Sequence, residues 1–155
     1  MNLHIRQAEA ADFPEVERMV IDSFEPITWA RTLDERFGPL NGLDWRARWV
    51  LRLQKIFKDQ IVLIGETEGV LAAMSSSTLD RQAALAYIDL LAVSREHQHR
   101  GYGREMLRGT LRHLGKLGAK YVNLDCLTHN DNANDLYRSE GFEEVARHIR
   151  WFRKI

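Results

Sequence analysis

The chain has 155 residues, with 22 basic and 22 acidic side chains, so its formal net charge at pH 7 is zero. Hydrophobic residues make up 45% and charged residues 28%, a composition typical of globular proteins rather than disordered or fibrous ones. The length predicts a single domain over residues 1–155, and the balanced charge argues against a general surface for binding nucleic acid or membranes.

The first third of the chain predicts a strand, a helix and an irregular segment. His4 to Ala8 is typical of a short strand, and Asp12 is a candidate N-cap for a helix that runs to about Ser23. Residues 24–42 contain two prolines, two glycines and no sustained hydrophobic period. This segment is predicted to be a loop with a helical turn at most.

A second helix is indicated from near Asp44 to near Lys58. Its apolar residues recur at helical spacing and would form one buried face, which consists of Trp45, Trp49, Leu53 and Ile56. Three arginines of this segment lie mostly outside that face: Arg46, Arg48 and Arg52.

Three strands follow, over Ile61 to Gly65, Val70 to Ser76 and Leu85 to Val93, and short connections between them indicate an antiparallel meander. The last third alternates helix and strand. It predicts a helix over Arg104 to Leu117, a strand over Tyr121 to Leu127, a helix over Asn132 to Ser139 and a terminal strand. The order of elements predicts an α/β (α+β) fold with a mixed sheet.

A turn containing two glycines joins the strand ending at Val93 to the next helix. It reads Q-x-x-G-x-G and consists of Gln98, His99, Arg100, Gly101, Tyr102 and Gly103. Glycines let the backbone approach a ligand closely, and N–H groups at a helix N-terminus attract an anion. A plain connecting turn is the alternative, but the neighbouring Arg100 and Arg104 favour a phosphate group. The Rossmann and Walker patterns are both absent.

This turn resembles the acetyl-CoA loop of the GNAT superfamily of N-acetyltransferases, R/Q-x-x-G-x-G/A. That family's second pattern is matched downstream by Asn130, Ala133, Tyr137, Gly141 and Phe142. The resemblance is strong over residues 85–142. It implies a mixed, mostly antiparallel central sheet flanked by helices. It also implies direct transfer of an acetyl group from acetyl-CoA to a primary amine, the acceptor being a small molecule or a peptide.

The resemblance also assigns roles within the site. Backbone groups of Leu91, Ala92 and Val93 would bind the pantetheine arm, and residues from Gln98 to Arg104 would hold the pyrophosphate. A backbone N–H near Val93, exposed by a bulge, would stabilise the thioester carbonyl as charge develops on it. In the second pattern, Asn130 and Ala133 would lie near the cofactor. Tyr137 would donate a proton to the departing thiolate.

Two aspartates are candidates for the general base. Period-two alternation places Tyr87, Asp89, Leu91 and Val93 on one face of their strand. Asp125, on the next strand, is the second candidate. The family's commonest glutamate position aligns with Tyr87 here, so the usual base is replaced. Asp89 would otherwise cap a loop or pair with an arginine, as structural ion pairs often do.

The remaining features bear on compartment and on competing functions. The single cysteine, Cys126, has no partner within the chain, and the N-terminal sequence has no signal-peptide run, so a cytoplasmic protein is expected. The expected assembly is a monomer or a homodimer. Cys126 itself is expected to behave as a small hydrophobic residue. No histidine spacing indicates a metal site. Two alternatives stay open: an inactive GNAT-like domain that binds CoA, and an unrelated nucleotide-binding protein.

Overall fold

The computed structural model describes residues 2–155, which contain five strands and five α-helices. Contacts divide the chain into two units, the first ending at Asp125 and the second spanning Cys126–Ile155. A single domain over the whole chain therefore stays a prediction.

The first unit contains the whole sheet and the first four helices. Its strands are β1 His4–Gln7, β2 Ile61–Thr67, β3 Val70–Asp80, β4 Leu85–Val93 and β5 Tyr121–Leu124. Its helices are α1 Phe13–Phe24, α2 Trp29–Phe37, α3 Trp45–Asp59 and α4 Tyr102–Lys116. The strands lie in the order β1-β2-β3-β4-β5, antiparallel except for the parallel pair β4–β5. The predicted fold class, a mixed and mostly antiparallel sheet flanked by helices, is confirmed.

Helix α3 forms as its sequence predicts. The Asp44 carboxylate accepts a hydrogen bond from the N–H of Ala47 at 2.8 Å and so caps the first turn. All four residues of the predicted face are buried, and they share one core cluster with α1 and the sheet: Trp45, Trp49, Leu53 and Ile56. Burying each large apolar side chain contributes about 1.5–3 kcal/mol, so this face fixes α3 on the sheet.

Helix α2 is longer than the single helical turn that the sequence predicts within a loop at this segment. It begins after Thr28, whose hydroxyl accepts from the N–H of Ala30 at 3.3 Å, and it ends at Gly38, where φ is 74°. Its Asp34 accepts from the N–H of Trp45 at 2.6 Å and pairs with Arg48 at 2.8 Å. The helix is thus held by polar tertiary contacts, which leave no hydrophobic period in the sequence.

The start of α1 also differs from the expected N-cap. A 3-10 turn, Ala10–Asp12, precedes the helix, and Asp12 makes no side-chain cap to it. The Asp12 carboxylate instead accepts from the N–H of Glu9 at 2.7 Å and pairs with Arg6 of β1 at 2.8 Å. The carboxylate therefore ties the turn to the edge of the sheet.

Three consecutive serines are buried in the middle of β3. The Ser75 hydroxyl lies 2.7 Å from the Thr110 hydroxyl of α4, which itself donates to the Met106 carbonyl at 2.8 Å. Among residues 2–155, the Ser76 and Ser77 hydroxyls have no hydrogen-bond partner. An unpaired buried hydroxyl costs roughly 1–3 kcal/mol, so the three serines are not equivalent.

We expect Ser75→Ala to lower the free energy of unfolding by about 1 kcal/mol, because it removes the hydrogen bond to Thr110. Ser76→Ala removes only an unpaired hydroxyl and is expected to be neutral or stabilising. Urea unfolding of the two variants beside the wild type measures both effects. Equal destabilisation by the two substitutions would contradict the assignment of the Ser75–Thr110 hydrogen bond.

The second unit contains one helix, α5 Asp131–Ser139. It ends at Ser139, shortly before Gly141, where φ is 89°, and the N–H of Phe142 donates to the Tyr137 carbonyl at 3.0 Å. The predicted terminal strand is wrong, since residues 142–155 form neither helix nor strand. The large apolar side chains of Val145, Trp151 and Ile155 are at least 86% exposed, so no strand partner covers them.

Candidate active site

The parallel pairing of β4 with β5 stops halfway along β4. Register pairs run from Leu85 beside Tyr121 to Ile88 beside Leu124, whereas β4 continues along β3 as far as Val93. Over residues 89–93 the structure describes no strand on the β5 side of β4. We refer to this side of residues 89–93 as the open edge of β4. A strand edge of this kind presents backbone N–H and C=O groups to a ligand.

The phase of the β3–β4 ladder decides which backbone groups face the open edge. The N–H of Ser94 donates to the carbonyl of Ala72 at 2.9 Å. In an antiparallel pair, alternate residues exchange hydrogen bonds with the neighbouring strand. With the observed register, the backbone groups of Leu91 and Val93 therefore point away from β3 and towards the open edge.

Ala92 and Gln98 have other partners. The ladder phase directs the backbone groups of Ala92 towards β3, and its side chain is only 4% exposed in the core, so Ala92 does not face the open edge. The Gln98 side-chain amide donates to the Val93 carbonyl at 3.1 Å. Gln98 thus ties the glycine turn to the end of β4.

A β-bulge lies where β4 and β5 part. Ser77 pairs with Ile88 and Ser76 pairs with Leu90, so the intervening Asp89 has no register partner on β3. A bulge adds one residue to one strand of a pair and re-aims the side chains around it. Asp89 therefore lies at a break in the alternation of β4.

The bulge overturns the predicted common face of four β4 residues. Leu91 and Val93 pack against a cluster that includes Met106 of α4. Asp89 is hydrogen-bonded on the other face of the sheet, to Arg52 of α3 and to Gln60, which directly follows α3. Tyr87 pairs with Thr78 and lies on the same face as Asp89. The alternation was wrong because it assumed an uninterrupted strand.

Both carboxylate oxygens of Asp89 are occupied. Arg52 Nη2 donates to Oδ1 at 2.6 Å, and Gln60 Nε2 donates to Oδ2 at 2.9 Å. The side chain is only 15% exposed. Asp89 therefore makes the arginine ion pair that was the alternative to its role as general base. The sequence does not identify Arg52 or Gln60 as partners of Asp89. Its one relevant signal is that Arg52 lies outside the buried face of α3.

Asp125 is the more accessible of the two predicted bases. The Tyr87 hydroxyl donates to Asp125 Oδ2 at 3.1 Å, and Asp125 is exposed. Burial, followed by the charge of Asp125, raises the pKa of Tyr87 to about 12. The Tyr87 hydroxyl therefore stays protonated at neutral pH and remains a hydrogen-bond donor to this carboxylate.

The glycine turn has the backbone geometry of an anion site. His99 and Gly101 adopt positive φ angles of 61° and 86°, and Gly101 is the N-cap residue of α4. The N–H of Glu105 is bonded to the Gly101 carbonyl at 3.1 Å, as expected for the first full turn. The N–H groups of Tyr102 and Gly103 lie in the first turn of α4, where an α-helix supplies no acceptor and carries the positive end of its dipole.

Side chains of the turn divide into two groups. Arg100 and Arg104 are exposed beside the turn, where cations would meet a phosphate. The Tyr102 side chain is buried, and its hydroxyl donates to Thr67 Oγ1 at 3.4 Å. Tyr102 can therefore offer a ligand only its backbone N–H. The turn and the open edge of β4 thus fit the pyrophosphate and the amide-rich arm of a CoA molecule.

The downstream motif forms the two ends of α5. Asn130 Oδ1 accepts from the N–H of Ala133 at 3.5 Å, so Asn130 caps the helix with its side-chain oxygen. The Tyr137 ring packs edge-on against Phe142 at 5.8 Å between ring centres. Burial, with a smaller contribution from the charge of Cys126, raises the pKa of Tyr137 above its usual value. Burial likewise raises the pKa of the Cys126 thiol, which keeps it in the unreactive protonated form.

Membrane-spanning helices and metal clusters are both absent from residues 2–155. None of their helices is both long and apolar enough to cross a membrane. None of their His, Cys, Asp and Glu side chains gather in a group of three or more that could hold a metal ion.

Comparisons with known proteins identify the family and the fold. The family model described as the acetyltransferase (GNAT) family matches residues 24–142. No curated protein sequence gave a match. Solved structures with the same fold include AAC(6')-Iy bound to the bisubstrate analog CoA-S-monomethyl-acetylneamine, with 13% identity, TM-score 0.71 and 100% coverage of both chains.

Two further solved structures have somewhat higher identity. The aminoglycoside acetyltransferase meta-AAC0020, from an uncultured soil metagenomic sample and in complex with sisomicin, is 22% identical with TM-score 0.68 and covers 98% of this chain and 97% of its own. A ribosomal-protein-alanine N-acetyltransferase from Brucella melitensis is 23% identical with TM-score 0.66 and covers 92% and 85%. These similarities establish the shared fold.

Proposed function

The chain belongs to the acetyltransferase (GNAT) family, and from this premise we propose that it acetylates a primary amine by direct transfer from acetyl-CoA. As a member of that family it is an acetyl-CoA-dependent N-acetyltransferase, with acetyl-CoA as its cosubstrate. The observation that carries the proposal is the parting of β4 from β5, which opens a backbone edge directly before a glycine turn and a helix N-terminus.

Two parts of the first unit would hold the cosubstrate. The N–H groups of Tyr102 and Gly103, with the positive φ of Gly101, suit the pyrophosphate. The backbone groups of Leu91 and the N–H of Val93 suit the pantetheine amides. When bound, acetyl-CoA supplies an activated acetyl group as its thioester.

A backbone N–H at the open edge of β4 is well suited to the thioester carbonyl. As the amine attacks, negative charge grows on the carbonyl oxygen, and a fixed donor lowers the energy of that state. Two N–H groups face the open edge of β4. That of Leu91 lies two residues after the bulge at Asp89, and that of Val93 lies four residues after it. No covalent intermediate on the protein is required, since the amine itself is the nucleophile.

Asp125 is the better placed of the two aspartates to act as general base. An alkyl amine with a pKa near 10.4 is neutral in roughly one molecule in a few thousand at pH 7, so a proton must be removed. Asp125 is exposed and holds the Tyr87 hydroxyl with one oxygen, whereas both oxygens of Asp89 already accept hydrogen bonds. Asp125 therefore has free capacity to take the proton, directly or through water.

Tyr137 would protonate the departing thiolate. Its raised pKa keeps the hydroxyl protonated throughout the neutral range, so the proton is available when it is needed. The neutral tyrosine also adds no negative charge near an anionic leaving group. In the proposed cycle, Asp125 takes the proton that converts the bound ammonium to the neutral amine and then releases it to solvent. The nitrogen that has attacked the thioester carries one surplus proton, and this proton restores Tyr137 after Tyr137 has protonated the departing sulfur, so one proton is released for each acetyl group transferred.

The acceptor is proposed to be an amine of a small molecule or a peptide. Two proteins of the same fold are described with aminoglycoside-like ligands and one as acting on a ribosomal protein's alanine, so both classes belong in the test. The release of free CoA thiol, measured over a panel of an aminoglycoside, a polyamine and peptides, tests the proposal. Turnover with at least one amine class supports it. Acetyl-CoA binding with no turnover on any amine would instead indicate an inactive CoA-binding domain.

A further inference from the structure

The bulge residue Asp89 lies at a break in the register of β4. It has no register partner on β3, and the pairing with β5 ends at the preceding Ile88. A strand segment of this kind is expected to open locally unless other contacts hold it. The Asp89 side chain, through Arg52 and Gln60, supplies such contacts.

Both donors are themselves fixed by the helix that carries or precedes them. The Arg52 guanidinium lies 4.6 Å from the ring centre of Trp49, a side chain only 7% exposed in the core, and such stacking restrains an arginine. Gln60 is the C-cap residue of α3, and its N–H donates to the Ile56 carbonyl at 2.9 Å. The carboxylate is thus held between an anchored cation and an anchored amide.

We propose that Asp89 is a positioning residue rather than the general base: Arg52 and Gln60 clamp its carboxylate and so fix the β4 bulge that orients the open edge of β4. Leu90, directly after the bulge, returns to the β3 ladder opposite Ser76. The clamp therefore sets where the N–H groups of Leu91 and Val93 point. The consequence for catalysis rests on the acetyl transfer proposed above, whereas the clamp itself is a property of the free protein.

The charges around the bulge are consistent with this assignment. The charges of Asp89 and Arg52 act in opposite directions on the pKa of the neighbouring Tyr87, the first raising it and the second lowering it. The ion pair therefore presents little net charge to the Tyr87 and Asp125 hydrogen bond. Because Arg52 neutralises the charge of Asp89, Asp125 is the carboxylate whose negative charge would attract an incoming ammonium group.

The experiment compares Asp89→Ala with the conservative Asp89→Asn. An asparagine can still accept from Arg52, and its amide can donate to Gln60 Oε1, a buried oxygen without a partner among the described residues. A positioning role predicts that kcat/KM falls about tenfold to a hundredfold in Asp89→Ala and stays within about fivefold of wild type in Asp89→Asn. The acidic limb of the pH profile should be unmoved in both variants. If Asp89 were the base, both substitutions would lower the rate alike, and the acidic limb would be lost.

Amide hydrogen exchange of the free protein provides a second measurement that needs neither acetyl-CoA nor an amine. The N–H groups of Leu90 and Ala92 are expected to exchange at least about tenfold faster in Asp89→Ala and in Arg52→Ala, and at near wild-type rates in Asp89→Asn. The clamp is refuted if these amides exchange at wild-type rates in Arg52→Ala. If the wild type acetylates no amine, the proposed function is wrong. The amide exchange rates of the free protein would still show whether the clamp exists.

Arg46 offers a matched control on the same helix. Like Arg52, it stacks over a tryptophan, Trp45, at 4.5 Å, and it pairs with a carboxylate, Glu25, at 2.7 Å. Its partner lies outside β4. Arg46→Ala should therefore leave both the exchange of Leu90 and the rate of transfer unchanged, whereas a loss equal to that of Arg52→Ala would contradict the special role of the bulge.

Discussion

Replacing Tyr137 by phenylalanine is expected to lower kcat by about tenfold to ten-thousandfold, the range found when a general acid is lost. The substitution removes only the hydroxyl and keeps the ring that packs on Phe142. Because burial raises the pKa of Tyr137, the acid form persists throughout the neutral range in the wild type. The alkaline limb of the wild-type rate should then lie above a pH of about 10, the usual pKa of tyrosine.

Steady-state kinetics and calorimetry together test this prediction. The affinity for acetyl-CoA should be nearly unchanged in Tyr137→Phe, because the lost hydroxyl acts on the leaving group rather than on binding. Tyr121→Phe is a suitable control, since Tyr121 is 64% exposed on β5 and has no proposed role. Wild-type turnover in Tyr137→Phe would remove this residue from the mechanism.

Replacing Gly101 by glutamate is expected to weaken acetyl-CoA binding by at least about a hundredfold. Gly101 adopts a φ of 86°, where a residue with a side chain is strained by roughly 1–2 kcal/mol. The new carboxylate would also place a negative charge at the helix N-terminus proposed to hold the pyrophosphate. Backbone strain and charge repulsion act together, which makes this the largest expected effect on binding.

Gly115→Glu is the matched control, with the same change of residue in the same helix. Gly115 lies near the C-terminal end of α4, and a Cβ added there meets nothing within 4 Å. Calorimetric titration with acetyl-CoA should show wild-type affinity for Gly115→Glu and a large loss for Gly101→Glu, while circular dichroism shows both variants folded. Unchanged affinity in a folded Gly101→Glu variant would overturn the assignment of the glycine turn.

The parts of the fold that follow from hydrophobic period were predictable from the sequence. Trp45 and Leu53 mark a helix face because burial of an apolar stripe is what holds α3 on the sheet. The strand Leu85–Val93 was predicted with its observed bounds, since β-branched and apolar residues dominate it. Helix α2 was missed because polar contacts such as the Asp34–Arg48 pair hold it, and these leave no periodic signal.

In the candidate site, too, features set by local sequence were predictable and features set by contacts between distant segments were not. The glycine turn could be located because positive φ and a helix N-terminus require particular residue types at Gly101. The bulge at Asp89 could not be located by alternation, because the register depends on pairing with Ser76 and Ser77 of another strand. One unpaired residue was enough to move Asp89 to the opposite face from Leu91, and with it the choice of base.

The downstream motif illustrates how a functional pattern can have a structural basis. Asn130 caps α5, and Gly141 ends it with a φ of 89°, so two of its residues are explained by the geometry of the helix alone. The sequence suggested cofactor contact for Asn130, and that contact stays a prediction. Tyr137 lies between these two ends. It neither caps nor ends the helix, so the geometry of α5 does not explain a tyrosine at this position.

The most direct test of the account is transfer of a labelled acetyl group. The protein is incubated with acetyl-CoA carrying isotopic carbon in its acetyl group, together with an amine from the panel that releases CoA thiol. We expect mass spectrometry to find the label on the amine nitrogen of the product, with Gly101→Glu inactive and Gly115→Glu active under the same conditions. Thiol release without labelled amine would show hydrolysis of the thioester, and it would contradict the proposed acetylation of an amine.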